Sequence, residues 1–204
     1  MIVVIGKYFT LGRDKKDAYL KTITIFSEKG YHETTMEDIA ENLGIAKGTL
    51  YYHYKNKKEL YLALIKEGFE ILKQQASQEL ALTDNAADKL GKLIQVQVAF
   101  FQEYVHLTYI FLRELYGNVI SRNELTTIVE DYMELITQIL NEGQQFKLFK
   151  PLCLELTSSM IFGAVSVSTL KYLNKFNELP VDYLLKDLSE MIFYGLRREE
   201  GSRG

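Results

Sequence analysis

Proline occupies only two of the 204 positions, 151 and 180, and elsewhere apolar residues recur at intervals of three and four. That spacing is the period of an α-helix, and proline is the residue that most reliably interrupts one. No stretch alternates apolar and polar residues as a half-buried strand would. The pattern predicts an all-α chain of about nine helices, with no internal repeat and no low-complexity tract.

Helix boundaries follow from capping chemistry. A first helix is expected from Lys15 to Lys29, with Leu20, Ile23 and Phe26 as its buried stripe and Gly30 as its stop. Thr34 or Thr35 caps the second, with Glu37 or Asp38 as the capping-box partner. It ends near Gly44, and a third helix covers Ala46 to Tyr52. Asn56 caps a fourth that reaches about Leu80. After the polar break Thr83-Asp84-Asn85, a fifth helix carries Leu90, Leu93, Ile94, Gln97, Phe100, Phe101 and Tyr104 on one face. A sixth spans Thr108 to Tyr116. Ser121-x-x-Glu124 is a capping box opening the seventh. The eighth runs from Leu154 to Leu173 and the ninth from Val181 to about Arg198.

Composition narrows the class of protein. Apolar residues make up 47% and charged residues 25%, ordinary for a globular chain. A single cysteine, Cys153, rules out an internal disulfide framework and fits a reducing cytoplasm. No apolar run approaches the roughly 18 residues of a membrane span. Met1 to Ile5 are apolar but too few for a signal-peptide core, and are expected to form a loose extension, with a packed accessory segment as the rival. The net charge of −3 is unevenly spread: residues 1–60 hold 10 Lys/Arg against 8 Asp/Glu, and residues 61–204 hold 14 against 19. A mildly basic head thus precedes an acidic body.

Residues 36–54 carry the functional signal. Two short helices meeting across a glycine turn form a helix-turn-helix, which lays its second helix in the major groove of DNA. Ala40 lies where the helices cross, and Gly44 sits where a positive φ is needed. Ile39, Leu43, Ile45 and Leu50 are spaced to face inward. Lys47, Gly48, Thr49, Tyr51 and Tyr52 face away. Lysine and hydroxyl groups at a helix start suit phosphates and base edges, and Gly48 lets the backbone approach the groove.

The run Phe26-Ser-Glu-Lys-Gly-Tyr31, Thr34-Thr35, Lys47-Gly-Thr-Leu-Tyr-Tyr-His-Tyr54 and Lys55-Asn-Lys-Lys-Glu-Leu60 resembles the tetracycline-repressor-like (TetR/AcrR) family of bacterial transcription regulators. The resemblance covers about residues 18–60. It implies that Thr49, Tyr51 and Tyr52 meet DNA and that Lys57 binds a phosphate. Thr35 would touch the backbone from the other side, and Tyr54 would pack inward as a core aromatic. Lys47 is the leading candidate for groove contact. The chain departs from the family at Lys21 and Thr22, where paired alanines are usual, and at Ala46, where a capping serine is common. On this reading residues 1–57 form the DNA-binding domain and 58–204 an effector-binding and dimerisation domain.

A single head contacts few base pairs, so a symmetric homodimer on a palindromic operator is expected. The helices near 154–173 and 181–198 are its candidate interface. Met160, Ile161, Phe162, Val165, Val167 and Leu170 there interleave with Gly163, Ala164, Ser166 and Ser168, and Leu184, Leu185, Leu188, Met191, Ile192 and Leu196 follow. The interior of helices five to seven is rich in aromatics with hydroxyl tips, which suits a small, largely apolar effector. Gln97, Phe100, Phe101, Tyr104, Phe111, Tyr116, Tyr132 and Phe162 are the candidate lining. Were one of Glu103, Glu114, Glu130 or Glu134 buried, a cationic ligand would be favoured. Glu103 with His106 is a lone i, i+3 pair, and no nucleotide-cradling glycine loop occurs, so neither catalysis nor a cofactor is expected. The rival to a ligand-released repressor is a helical scaffold whose helix-turn-helix serves protein contacts.

Overall fold

The computed structural model describes residues 9–11, 14–115, 117, 119–175 and 180–197. The apolar stretch from Met1 to Ile5, and Tyr116, lie outside them. Among the described residues there are nine helices: α1 (Lys15–Lys29), α2 (Met36–Leu43), α3 (Lys47–His53), α4 (Lys57–Leu80), α5 (Ala86–Glu103), α6 (Val105–Glu114), α7 (Arg122–Gln145), α8 (Leu154–Lys175) and α9 (Val181–Leu196). None is long and apolar enough to cross a membrane.

Caps set these boundaries as local chemistry requires. Asp14 accepts from the amides of Lys16 and Asp17 to open α1. Thr35 and Asp38 form a reciprocal capping box on α2, and Ser121 with Glu124 does the same on α7. Asn56 accepts from the Glu59 amide at the start of α4. Helix ends shift by one or two residues from the spacing argument, and one start shifts further. The sixth helix begins at Val105 instead of Thr108, because Tyr104 (φ −112°, ψ 46°) leaves helical geometry and breaks the chain between α5 and α6.

Two compact units divide the chain, one made of residues 1–71 and 104–129, the other of 72–103 and 130–204. The expected functional boundary after residue 57 is therefore not where packing divides the molecule. In the first unit α1 packs on both α2 and α6. Its centre is Tyr19, Ile23, Phe26, Ile39, Leu50, Leu60, Tyr61 and Leu64, all essentially inaccessible. Gly68 permits close approach of α4 to α6: a Cβ there would collide with Leu107 and lie 2.9 Å from the Tyr19 hydroxyl. The family departures in α1 are accommodated simply. Lys21 is exposed and paired with Asp17 at 2.8 Å. Thr22 is buried and its hydroxyl donates to the Ala18 carbonyl at 2.7 Å.

The short segment Phe9–Leu11 also belongs to this unit, with Phe9 and Leu11 fully buried. The Phe9 amide donates to the buried Glu67 carboxylate at 2.9 Å, and its ring meets Tyr19 edge-on. In the second unit α5 packs against α8 and α9, which also meet each other. Leu90, Leu93, Ile94, Val98, Ile136, Leu140 and Val165 form its core.

Candidate nucleic-acid interface

The turn between α2 and α3 is built by hydrogen bonds that only one residue type satisfies comfortably. Gly44 is left-handed (φ 63°, ψ 32°), and its amide donates to the Glu41 carbonyl while Ile45 donates to that of Ala40. This pair of bonds is a Schellman motif, and it redirects the chain sharply at the end of α2. Ile39, Ala40 and Leu50 are buried as expected, whereas Leu43 and Ile45 are only half-buried. Ala46 occupies the N-cap of α3 and provides no side-chain hydrogen bond.

Leu50 faces inward from α3, and Tyr54, just beyond it, is buried and stacked on Phe9 at 6.4 Å. The outer face then follows from helical geometry. Lys47, Gly48, Thr49, Tyr51 and Tyr52 are all exposed, Tyr52 at 87%. Nothing lies within contact of a Cβ built at Gly48. Such exposure of two tyrosines on one short helix is costly for a free surface unless a partner covers it.

Electrostatics on this face are poised for exchange. Lys47 is ion-paired with Glu37 of α2 and lies 5.6 Å from the Tyr51 ring centre. The bond from Lys47 holds the Glu37 carboxyl below its ordinary range, and Glu37 holds Lys47 above its own. Both groups are solvent-exposed, so a phosphate can displace the carboxylate at little cost. Thr35 is exposed, but its hydroxyl donates to Asp38 and accepts from the Asp38 amide.

Lys57 is placed differently from the other candidates. Its ammonium donates to the carbonyls of Tyr31, His32 and Thr34 and lies 4.4 Å from the centre of the Tyr31 ring. Two hydrogen bonds at the end of α3 have no counterpart in the sequence reading. Thr10 hydrogen-bonds His53 through its hydroxyl and the Tyr54 hydroxyl through its amide, both at 3.0 Å. The signal that could have found this segment was the pairing of Phe9 with Leu11, two apolar residues flanking one polar.

The candidate effector residues separate between the two units. Gln97, Phe100, Phe101, Tyr132 and Phe162 converge in the second, while Tyr104 and Phe111 are buried in the first. Gln97 is fully buried and satisfied on both sides of its amide. Its oxygen accepts from the Tyr132 hydroxyl at 3.1 Å, and its nitrogen donates to the Phe162 carbonyl and the Ser166 hydroxyl, also at 3.1 Å. Phe162 meets Phe101 and Tyr132 edge-on. Burial pushes the Tyr132 phenol far above its ordinary pKa, so it stays a donor. Sequence spacing identified Gln97 and Tyr132 but read Ser166 only as a small interface residue.

Of the four glutamates considered, Glu114 alone is buried. Its carboxylate accepts from the Tyr61 hydroxyl at 2.9 Å and the Ile120 amide at 3.2 Å, so its charge serves the first unit's own structure. Glu103, Glu130 and Glu134 are exposed. Among the described residues no three His, Cys, Asp or Glu side chains assemble to hold a metal.

On the second unit, the expected interface residues divide by face. Ile161, Phe162, Val165, Leu170, Leu188, Ile192 and Leu196 are buried in the unit itself. Leu156, Met160 and Val167 remain exposed along one face of α8, with open space around Gly163, and Met191 and Tyr194 remain exposed on α9.

These features define a helix-turn-helix DNA-binding protein with a separate helical unit. A family model for bacterial regulatory proteins of the tetR family matches residues 21–64, and one for the C-terminal region of YsiA-like proteins matches residues 65–195. The chain belongs to the tetR family of bacterial transcription regulators. The fatty acid metabolism regulator protein of Bacillus subtilis is 23% identical over 193 residues, which is 92% of this chain and 100% of that protein. The negative transcriptional regulator IcaR of the Staphylococcus aureus biofilm operon icaADBC is 29% identical over 159 residues, covering 72% and 86%. In fold, the chain matches the crystal structure of FadR from Bacillus subtilis in complex with stearoyl-CoA with a TM-score of 0.78. That match covers 89% of this chain and 100% of that one at 22% identity.

Proposed function

We propose that the protein is a cytoplasmic, non-catalytic repressor that binds a palindromic operator as a homodimer and is released by an acyl-chain effector such as an acyl-CoA. The observation that carries the DNA-binding part is the exposed face Lys47–Tyr52, held outward by Leu50 and the Gly44 turn. Lys47 exchanges Glu37 for a phosphate or base edge, Thr49, Tyr51 and Tyr52 meet the groove, and the missing Cβ at Gly48 admits the backbone. Thr35 approaches the adjacent strand. A second copy covers Met160, Val167, Met191 and Tyr194, whose exposure one chain leaves unexplained.

The effector class is supported by what the similar regulators are named for or bind, together with the aromatic interior around Gln97 and Tyr132. An apolar chain among Phe100, Phe101 and Phe162 would have Gln97, Tyr132 and Ser166 as polar anchors. Effector and DNA must weaken each other equally, because coupling between two sites is reciprocal. Electrophoretic mobility shift with fragments of the protein's own upstream region tests this. Binding tighter than to random DNA, and loss of that binding with stearoyl-CoA but not with coenzyme A alone, is the expected result. No preference over random DNA at low salt would overturn the repressor reading, and release by coenzyme A alone would overturn the acyl-chain reading.

A further inference from the structure

We propose that the segment Phe9–Leu11 is a positioning strap for the recognition helix α3, holding its carboxyl end in the orientation that base reading requires. α3 has seven residues, and a helix this short does not keep its shape in water by itself. Its N-cap, Ala46, gives no side-chain bond, and Leu50 is its one buried residue. The Gly44 turn fixes where α3 begins, so its end depends on contacts from elsewhere in the head. Thr10 supplies them. Its amide donates to the Tyr54 hydroxyl, and its hydroxyl hydrogen-bonds His53 Nδ1, both at 3.0 Å. Phe9 stacks on the Tyr54 ring, with centroids 6.4 Å apart. His53, the last residue of α3, and Tyr54, its C-cap, are both held by one tripeptide.

The strap is itself anchored. Phe9 and Leu11 are fully buried, whereas Thr10 between them is exposed. The Phe9 amide donates to the Glu67 carboxylate of α4 at 2.9 Å. Its ring lies edge-on to Tyr19 of α1, whose hydroxyl donates to the Leu64 carbonyl of α4 at 2.9 Å. Two long helices therefore stand behind the strap, and the end of α3 stands in front of it. The segment precedes residues 21–64, so the matched helix-turn-helix does not include it.

The inference rests on the DNA-binding reading. Hydrogen bonds to base edges need fixed geometry, while lysines reach phosphates on flexible stems. Loosening the end of α3 therefore lowers preference for a particular site and leaves the general attraction to DNA in place. Thr10→Val and Tyr54→Phe each remove one bond without changing charge or much volume. Fluorescence anisotropy compares them and the double variant on two duplexes: a fragment of the upstream region that wild type prefers, and a random sequence. The double variant is expected to bind the preferred fragment about tenfold more weakly, the worth of one or two hydrogen bonds, with random-duplex affinity and salt slope unchanged. Wild-type preference in the double variant would overturn the proposal. So would equal losses on both duplexes, which would mean that the strap contacts DNA in general instead of orienting α3.

Hydrogen exchange without DNA tests the strap independently of that reading. The amides of residues 50–54 should exchange severalfold faster in the double variant than in wild type, and unchanged rates there would overturn the strap. If the double variant does not fold, the single variants carry both comparisons, at about threefold each in affinity. A wild type that prefers no upstream fragment would instead sink the DNA-binding reading, while the exchange rates still decide whether Thr10 holds the end of α3.

Discussion

Replacing Gln97 by leucine in the second unit isolates the worth of a buried polar network. Gln97 and Ser166 are fully buried and Tyr132 is 1% exposed, so water cannot replace a lost partner. Gln97→Leu strands the Tyr132 hydroxyl, and Tyr132→Phe strands the Gln97 oxygen. A buried polar group left without its partner costs about 1–3 kcal/mol. Removing both partners together is close to neutral, because no donor or acceptor is then orphaned. The Phe162 carbonyl keeps its bond from Ser166 at 2.6 Å in every variant. The double-mutant cycle should therefore show a coupling of about 1–2 kcal/mol, with the double variant more stable than the sum of the singles. For a chain of this size, a loss of ~2 kcal/mol lowers Tm by about 4–8 °C. Thermal and urea unfolding of the four proteins measure it. A double variant as unstable as the two losses added would refute the argument that these bonds satisfy each other.

Further predictions concern the head, the acid range and the dimer. Gly68→Ala should destabilise by about 1–3 kcal/mol through overpacking against Leu107 and Tyr19, read by urea unfolding; an unchanged midpoint would mean that α4 and α6 are not so closely apposed. The Ser121 amide and hydroxyl, with Lys58, hold the Glu124 carboxyl down at about 2, from an ordinary 4.5. Because the folded value is the lower one, this cap contributes stability above pH 4.5 that is lost as pH falls toward 2. Glu124→Gln should flatten the stability profile in that window only, by a small amount because both partners are more than a third exposed. Val167→Glu with Met160→Glu should convert the dimer to monomer in sedimentation experiments and abolish operator binding, while an unchanged mass would place the interface elsewhere.

Much of this protein is legible in one dimension because its determinants are local. The capping boxes at Thr35 and Ser121, the glycine at 44 and the three-to-four spacing act within a few residues, so they set helix number and the outward face of α3. Tyr54 was assigned inward through the family resemblance, and it is buried. The break at Tyr104 was not legible, since no proline or glycine marks it and its ring is held by packing in the first unit. Nor was the burial of Phe9 and Leu11, whose partners Tyr19, Tyr54 and Glu67 are remote in sequence.

The sequence by itself determined an all-helical chain with a DNA-reading helix-turn-helix, because helix period, capping and turn chemistry are written in neighbouring residues. Tertiary structure alone decided what the polar side chains do. Lys57 at a helix start suits a phosphate by position, and in the free chain the fold brings the carbonyls of residues 31, 32 and 34 to its ammonium. Glu114 could have met a cationic ligand, yet Tyr61 and the Ile120 amide occupy it. A donor or acceptor is committed by whatever partner the fold brings within about 3 Å, and for Lys57 with Tyr31, and for Glu114 with Tyr61, that partner is remote in sequence.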